Sequence, residues 1–385
     1  MKRNALHSLF TLGTALLVTA FAPACSSDDN DAAPGNGSSD GPTEKPIHTL
    51  VVAADGSGDY TTLQEAFDAL PVDGEPHIVR LRPGTYCEKV TLTADHPRVT
   101  LIGDDAEKCI ITYDDYAGHP TETGNGTLGT WRSQTLLIEA DDFTACGVTI
   151  ANTYVNSQAN AAVNKDTQAV ALRVEGDRVT LYECRVMGYQ DTLFGRGTGR
   201  VYLRDCYVEG NVDFIFGSST IVVDHCTLHM NRNNSVVTAP STPADHRYGI
   251  VCMDCTISFP PSDEVDFDGS KFSCFHLGRG WYSTKTARPR AVFIRCEEPA
   301  ALKAEGWTTM SDQPDPTLAQ PLFAEYGCTG PGAAADRLAR RACGGRQLSD
   351  AEGAEYVVAN IFARSSAPEY TSDWLPAPAF TDPGE

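Results

Sequence analysis

The sequence predicts an all-β fold, a single-stranded right-handed parallel β-helix with short capping helices at its N- and C-terminal ends. Three observations carry the prediction: a repeated strand pattern with a cysteine at a fixed place, a regular spacing between repeats, and a scarcity of hairpin turns. Short strands that recur without helical patterns between them are typical of a solenoid whose coils stack on one another. A β-sandwich would instead show turn signals about every 8–12 residues.

The repeat consists of β-forming residues, then a cysteine, then an alternating apolar pair. It occurs around Cys146, Cys184, Cys206, Cys226, Cys255 and Cys296. The steps from Cys184 to Cys206 and from Cys206 to Cys226 are 22 and 20 residues, and wider gaps elsewhere leave room for loops.

The cysteine column is expected to form an interior stack of thiols, because cysteine packs as a small hydrophobic residue. Disulfides between neighbouring coils are the alternative, since the strand spacing would permit them. Cys328 and Cys343, outside the column, are predicted to form a disulfide.

Both ends of a solenoid need a cover. Near the start, Thr62 and Glu65 form a capping box ahead of a short helix that is expected to close the first coil. Near the end, residues 348–361 predict one helix that covers the last coil.

Residues 1–24 predict an export signal. Lys2 and Arg3 give a positive start, residues 9–21 a short apolar stretch, and residues 22–24 are small enough for cleavage. Cys25 follows at once and predicts lipidation, with ordinary signal cleavage as the alternative. Residues 25–47 then form a polar tether, and residues 48–380 one catalytic domain. We therefore expect a lipoprotein of the bacterial outer membrane or cell surface, or otherwise a periplasmic or secreted protein.

The composition excludes some partners. The formal net charge is −21, which repels nucleic acid and anionic membrane surfaces. Contact with a membrane is therefore expected only through the lipid anchor, and a monomer is the default expectation. His225 and His229 have a structural interpretation, and the sequence predicts neither a metal site nor a cofactor.

Asp191 and Asp213 are the strongest candidates for chemistry. They are 22 residues apart, as are Cys184 and Cys206, so they are expected side by side on consecutive coils, about 4.8 Å apart. Two such close carboxylates cannot both ionise freely, so one should act as an acid while the other stays charged. A solvated aspartate ladder is the alternative, but the apolar neighbours favour a partly desolvated cleft.

Gln168 and Gln190 decide the type of reaction that this pair serves. Amide donors beside a carboxylate nucleophile suit the oxyanion of acyl transfer, whereas a glycosidase forms no tetrahedral oxyanion. Arg279 is expected to hold the charged aspartate through its planar guanidinium. Trp281 and Trp307 are candidate platforms for sugar rings. The sequence predicts no serine hydrolase elbow, because its Gly-x-Ser-x-Gly match at residues 37–41 lies in the predicted polar tether and not between a strand and a helix.

Residues 188–193, 213–217 and 277–281 resemble the signature segments of pectin methylesterases. Residues 52–65, 84–88, 323–326 and 330–333 match further segments of the family in the same order. The resemblance implies hydrolysis of methyl esters in methyl-esterified homogalacturonan (pectin), which releases methanol.

The same resemblance implies a role for each matching residue. Asp213 would attack the ester carbonyl, Asp191 would act as general acid and then base, Gln168 and Gln190 would stabilise the oxyanion, and Arg279 would orient Asp213. The sugar groove would be lined by Phe194, Phe216, Trp281, Trp131 and Trp307.

Three positions depart from the family pattern without touching the proposed catalytic pair. Gly280 stands where proline is usual, Phe194 where many relatives have tyrosine, and Pro240 where glutamine is common. The subsite preference is therefore open.

Three other functions remain as alternatives. A pectate lyase or polygalacturonase would keep the fold and cleave another bond, and a related esterase or thioesterase would take another acyl group. A carbohydrate-binding protein without activity is disfavoured because Asp191, Asp213 and Arg279 are all present.

Overall fold

Three parallel sheets wind around a common core in the computed structural model, which describes residues 47–311 and 315–384. They contain eleven, eight and seven strands, and successive strands of the chain move from one sheet to the next. Each strand therefore pairs with strands of the preceding and following coils, as Val179 does with Val201 in parallel register. This is the parallel β-helix that the sequence predicts.

In chain order the strands are β1 (His48–Val52), β2 (His77–Leu81), β3 (Gly84–Cys87), β4 (Val90–Leu92), β5 (Val99–Gly103), β6 (Cys109–Tyr113), β7 (Leu136–Ile138), β8 (Thr144–Cys146), β9 (Thr149–Asn152), β10 (Leu172–Val174), β11 (Val179–Tyr182), β12 (Arg185–Met187), β13 (Leu193–Gly195), β14 (Arg200–Arg204), β15 (Tyr207–Gly210), β16 (Val212–Gly217), β17 (Thr220–Asp224), β18 (Thr227–Met230), β19 (Ser235–Pro240), β20 (Ile250–Met253), β21 (Thr256–Ser258), β22 (Phe275–Arg279), β23 (Arg290–Ile294), β24 (Trp307–Thr308), β25 (Leu322–Tyr326) and β26 (Arg346–Gln347).

The three sheets have separate places in each coil. Sheet A contains β1, β2, β5, β8, β11, β14, β17, β20, β23, β25 and β26; sheet B contains β3, β6, β9, β12, β15, β18 and β21; and sheet C contains β4, β7, β10, β13, β16, β19, β22 and β24. The α-helices are short: α1 (Leu63–Asp68), α2 (Gln158–Val163), α3 (Ala335–Leu338), α4 (Asp350–Gly353) and α5 (Val358–Ile361). Among the described residues, none of the helices has the length and apolar character that crossing a membrane requires.

The cysteine ladder lies inside the solenoid, at the turn between sheets A and B. In successive coils a residue with positive φ precedes the cysteine, for example Glu183 (φ 50°) before Cys184 and Asp205 (φ 54°) before Cys206. The cysteines of this column are buried, and the backbone N–H of Cys206 donates to Sγ of Cys226 over 3.2 Å. The repeated turn explains why one residue type recurs at one place in the sequence.

Two cysteine predictions are wrong. Cys146 does not belong to the ladder, because it pairs in register with Tyr182, and Val148 occupies the ladder position of its coil. Cys328 and Cys343 form no disulfide: both are free thiols. Cys328 follows Gly327 (φ 64°) at the ladder turn, whereas Sγ of Cys343 contacts the backbone oxygen of Trp307 over 3.8 Å.

The first coil is covered by α1, as predicted. The Thr62 side chain accepts from the N–H of Glu65 over 3.3 Å. The N–H groups of Leu63 and Gln64 donate to the carboxylate of Glu88 over 2.8 and 3.1 Å. A carboxylate from a following coil thus completes the cap, which ties the helix to the solenoid.

The single helix predicted over residues 348–361 is wrong. The segment forms α4 and α5, and it packs on the outer face of sheet A rather than over the last coil. A straight helix would place Leu348 and Ile361 roughly 140° apart around its axis, so it could not bury both against one surface. The break between the helices lets Leu348, Tyr356 and Ile361 all reach the sheet.

Cys25, the predicted export signal and the predicted tether up to residue 46 lie outside the described residues.

Candidate active site

Asp191 and Asp213 lie next to each other on consecutive coils. Leu193 pairs with Ile215 in the parallel register of β13 and β16, which is an offset of 22 residues. The backbone N–H of Asp191 donates to the carbonyl of Val212 over 3.1 Å. The sequence spacing therefore predicted this juxtaposition correctly.

The backbone has the same unusual form at both aspartates. Asp191 has a φ of 67° and Asp213 a φ of 56°, in the left-handed region that few residues other than glycine adopt. Aspartate adopts it more readily than most residues, and the same conformation recurs at the ladder turns, for example at Asp205 (φ 54°). Because the two residues share this conformation, both carboxylates point out of the coil and line one groove.

Arg279 binds Asp213 through two hydrogen bonds. Its Nε donates to Oδ1 over 2.8 Å, and its Nη2 donates to Oδ2 over 2.7 Å. Arg279 is the last residue of β22, and β19 lies between β22 and β16 in the sheet. The small Ala239 of β19 lines the groove between Arg279 and Asp213. A guanidinium held in this planar geometry fixes both the charge and the direction of the carboxylate.

The two carboxyl groups differ in their electrostatic surroundings. Burial raises the pKa of Asp191 well above its ordinary value, and the neighbouring charge of Asp213 raises it further. Burial also raises the pKa of Asp213, but the hydrogen bonds and the positive charge of Arg279 oppose that change. The arrangement thus favours a protonated Asp191 beside an ionised Asp213, as a general acid and a nucleophile require.

Gln168 and Gln190 line the same groove. The Oε1 atom of Gln190 accepts from Oγ1 of Thr167 over 3.2 Å and from Nδ2 of Asn156 over 3.4 Å. The N–H of Ala169 donates to the carbonyl of Gln190 as that of Asp191 does to Val212, so Gln168 lies beside Gln190 at the same offset of 22 residues as the two aspartates. Both carboxamides border the aspartate pair.

Aromatic side chains form an apolar wall of this groove, whose volume is about 280 Å³. The rings of Phe194 and Phe216 stack with centroids 4.4 Å apart and planes within 3°. Trp281 lies 6.3 and 5.8 Å from these two rings, and Trp131 lies 5.9 Å from Phe194. Trp131 is 46% exposed, so its face is open to a ligand.

The prediction that Trp307 lines the sugar groove is wrong. Trp307 is 1% exposed and stacks on Phe323 inside the solenoid, with centroids 4.4 Å apart. Its strand β24 pairs with β22 so that Trp307 faces the core opposite Gly278. Met310, three residues later and 43% exposed, lies at the rim of the groove instead.

Sequence reasoning missed Met310, Thr130 and Ala239 as groove residues. It also missed Asn156 and Thr167, which contact Gln190 from behind. None of these five residues belongs to a repeated spacing in the sequence that would identify it as a groove residue. Thr167 directly precedes Gln168, which is the only available hint.

Within the described part of the chain, one set of side chains is close enough to hold a metal ion: Asp224, His225 and Asp254, outside the groove. Their carboxylates are already paired, Asp224 with Arg204 over 2.7 Å and Asp254 with Arg295 over 2.5 Å. The groove itself contains no such set among the described residues.

Comparison with known proteins gives consistent results. A family model described as Pectinesterase matches residues 49–365. Pectinesterase 31 of Arabidopsis thaliana is 30% identical over 329 residues, which are 84% of this chain and 94% of that protein.

Solved structures of pectin methylesterases share the fold. PemA from Erwinia chrysanthemi superimposes with a TM-score of 0.69 at 30% identity, covering 82% of this chain and 97% of that one. A mutant pectin methylesterase in complex with a hexasaccharide gives a TM-score of 0.70 at 28% identity, covering 86% and 100%.

Proposed function

The chain belongs to the pectinesterase family of carboxylic ester hydrolases, and on that premise we propose that it removes methyl esters from the galacturonate units of pectin. The products are methanol and demethylated pectin. The observation that carries the proposal is the adjacent pair Asp191 and Asp213, with Arg279 bound to Asp213 in the same groove.

In the first half of the reaction, a carboxylate oxygen of Asp213 attacks the carbonyl carbon of the methyl ester. Arg279 opposes the effect of burial on the Asp213 pKa, which favours the ionised form, and its two hydrogen bonds orient the carboxylate in the groove. The attack produces a tetrahedral intermediate with a negatively charged oxygen. When this collapses, the bond to the methoxy oxygen breaks and Asp191 gives its proton to departing methanol.

Gln168 and Gln190 stabilise the negative oxygen through their side-chain N–H groups. Preorganised donors of this kind lower the barrier because they need not reorient when charge develops. Gln190 is suited to this role because its Oε1 already accepts two hydrogen bonds, which leaves its Nε2 for the groove.

In the second half, water hydrolyses the mixed anhydride between Asp213 and the galacturonate. Asp191, now deprotonated, takes a proton from the attacking water. The collapse restores the Asp213 carboxylate and releases the galacturonic acid group, which loses the second proton of the water to solvent and leaves as a carboxylate. The burial of Asp191, which raises its pKa, supports both of its roles.

The aromatic wall suits a neutral sugar polymer. Phe194, Phe216, Trp281 and Trp131 provide apolar faces, and aromatic faces bind the C–H side of sugar rings without selecting a charge. A methyl-esterified unit carries no charge that the ionised Asp213 would repel.

A direct test compares three products from highly methylated pectin with the purified protein. We expect methanol without new reducing ends and without ultraviolet absorbance from unsaturated sugars. New reducing ends would indicate a glycosidase, and the absorbance would indicate a lyase. If the folded protein releases no methanol, the proposed substrate is wrong.

We also propose that the protein is exported and anchored by a lipid on Cys25, in the outer membrane or at the cell surface of a bacterium. The support is the sequence of residues 1–25. Replacing Cys25→Ser should move the protein from the membrane fraction to the soluble exported fraction. A distribution that Cys25→Ser leaves unchanged would contradict the anchor.

A further inference from the structure

We propose that a chain of three asparagine side chains, Asn231, Asn211 and Asn156, acts with Thr167 to fix the direction of the Gln190 carboxamide. Asn156 and Thr167 are then positioning residues for ester hydrolysis. This inference rests on the proposed function, in which Gln190 donates to the oxyanion.

The direction of the carboxamide decides whether Gln190 helps or hinders. A glutamine side chain has an acceptor oxygen and a donor nitrogen of nearly the same shape. If Nε2 faces the groove, it stabilises a developing negative charge; if Oε1 faces the groove, it repels that charge. A catalytic glutamine therefore needs neighbours that distinguish its two ends.

The asparagine chain begins at groups whose hydrogen-bonding roles are fixed. Nδ2 of Asn231 donates to the backbone carbonyl of Gly188 over 2.9 Å and to the carboxylate of Glu209 over 3.1 Å. A carbonyl only accepts, so Oδ1 of Asn231 must face Asn211. Independently, Oδ1 of Asn211 accepts from the backbone N–H of Val212 over 2.7 Å, and a backbone N–H only donates.

The fixed orientations of the Asn231 and Asn211 amides determine how the Asn156 amide is oriented. Nδ2 of Asn211 donates to Oδ1 of Asn231 over 3.1 Å and to Oδ1 of Asn156 over 3.0 Å. Nδ2 of Asn156 in turn donates to Oδ1 of Asn211 over 3.2 Å and to Oε1 of Gln190 over 3.4 Å. Both protons of the Asn156 amide are thereby used, and the second one meets an acceptor only if Gln190 presents its oxygen.

Thr167 holds the same end of Gln190. Its Oγ1 lies 3.2 Å from Oε1 of Gln190 and, as a hydroxyl, can donate to that oxygen. Because Nδ2 of Asn156 is a fixed donor to Oε1, Nε2 is the end left to face the groove. Nε2 makes no hydrogen bond within residues 47–311 and 315–384, so the protein leaves this donor for a ligand.

Burial makes the wrong direction costly. Asn211 is 0% exposed, Asn156 3% and Thr167 8%. Turning Gln190 around would set its Nε2 against the fixed donor Nδ2 of Asn156 and leave buried N–H groups unpaired, whereas the Thr167 hydroxyl could accept from either end. Gln168 lacks such neighbours: its Oε1 is buried without a hydrogen-bond partner among the described residues. Of the two glutamines, Gln190 is thus the one whose N–H donor is oriented before substrate binds.

The test is a double-mutant cycle between Thr167 and Gln190, measured by methanol release from highly methylated pectin. Thr167→Val keeps the shape and removes the hydroxyl, and Thr167→Ser restores the hydroxyl. We expect Thr167→Val to lower kcat about tenfold with KM unchanged, since loosening the carboxamide that carries a donor costs less than the hundredfold or more of losing the donor. Thr167→Ser should recover most of that activity.

The effect of Thr167→Val in a Gln190→Ala background distinguishes a positioning role of Thr167 from a structural role. In Gln190→Ala, where no carboxamide remains to be directed, adding Thr167→Val should cause no further loss. The same tenfold loss in both backgrounds would overturn the proposal, and so would a Thr167→Val variant with the wild-type kcat.

A measurement without substrate keeps this inference distinct from the proposed function. If the wild type releases no methanol, the proposed function fails. Neutron diffraction of the wild type then still tests the asparagine chain. Deuterons of the Gln190 amide that point into the groove support the inference, and deuterons that point at Asn156 overturn it.

Discussion

At the scale of single residues, the central contact is the one between Arg279 and Asp213. Its two hydrogen bonds orient the carboxylate, and its charge opposes the burial that raises the Asp213 pKa. Asp191 has no such partner, and its pKa is raised by burial and by Asp213 together. One arginine thus makes two neighbouring aspartates chemically different.

Replacing Arg279→Gln should change the pH dependence as well as the rate. Without the cation, the Asp213 pKa rises further, so the acid limb of the kcat/KM profile moves to higher pH, because Asp213 must be ionised to attack. We expect kcat to fall about tenfold or more. Arg279→Lys is the matched control, since it keeps the charge and loses the two-point geometry. If the acid limb of the kcat/KM profile stays at the same pH in Arg279→Gln, this role of Arg279 is contradicted.

The sequence predicted the juxtaposition of Asp191 and Asp213 correctly because their spacing follows the coil. Asp191 and Asp213 share an offset with Cys184 and Cys206, and parallel stacking turns an equal offset into proximity. The sequence did not predict correctly which way Trp307 faces. Whether a strand residue faces the core or the groove depends on its register with neighbouring strands, and no pattern around Trp307 marks that register.

At the scale of elements, the end of the solenoid depends on a buried charge cluster. Arg341 donates to Glu325 through two hydrogen bonds of 2.8 and 2.7 Å and to Glu298 over 2.9 Å. Both glutamates are 0% exposed. Burial and the neighbouring Glu325 raise the pKa of Glu298 to about 10, so Glu298 is protonated at neutral pH, while Glu325 makes the two-point contact with Arg341.

Two matched substitutions test this division. Glu298→Gln copies the protonated carboxyl, so the free energy of unfolding below the unfolded pKa should change by less than about 1 kcal/mol, and at pH 7 the variant should be more stable than the wild type because its side chain need not take up a proton on folding. Glu325→Gln leaves Arg341 buried without a charged partner and should cost about 3–5 kcal/mol. Equal losses in denaturant unfolding of the two variants would contradict the division.

The same cluster gives a pH dependence with a defined sign. The folded state holds the Glu298 proton up to about pH 10, whereas the ordinary pKa of an unfolded glutamate is 4.5. This stabilisation is fully present below the unfolded pKa and declines as the pH rises toward 10. Glu298→Gln should remove that decline from the pH profile of the free energy of unfolding.

Element boundaries were predicted less well than the solenoid itself. The capping residue Thr62 marked α1 correctly, because a cap is a local signal. The segment after Leu348 was misread as one helix, since its apolar residues fit the outer surface of sheet A rather than a helical period. Cys146 was likewise assigned to the ladder by its sequence neighbours, although Val148 fills that position.

At the scale of the whole molecule, the net charge of −21 bears on the substrate. Highly methylated pectin is nearly neutral, whereas each turnover adds a carboxylate to the polymer. An acidic protein should therefore bind its product less well than its substrate. The long-range part of this repulsion is screened by salt.

We expect activity to fall as the methylation of pectin falls, and the fall should be steeper at low salt. Initial rates on pectins of graded methylation, at two ionic strengths and equal ester concentration, measure this. A neutral methyl ester of a small galacturonide is the control, because its rate should depend little on salt. Faster turnover on weakly methylated pectin at low salt would contradict the expectation.

The central claim is that Asp213 attacks a methyl ester, and one assay tests it directly. Methanol release from highly methylated pectin is measured for the wild type, Asp213→Ala and Asp213→Asn, with folding of each variant checked by circular dichroism. We predict methanol from the wild type without new reducing ends, and a loss of at least about a thousandfold in both variants. A folded Asp213→Ala that releases methanol at the wild-type rate would contradict the account.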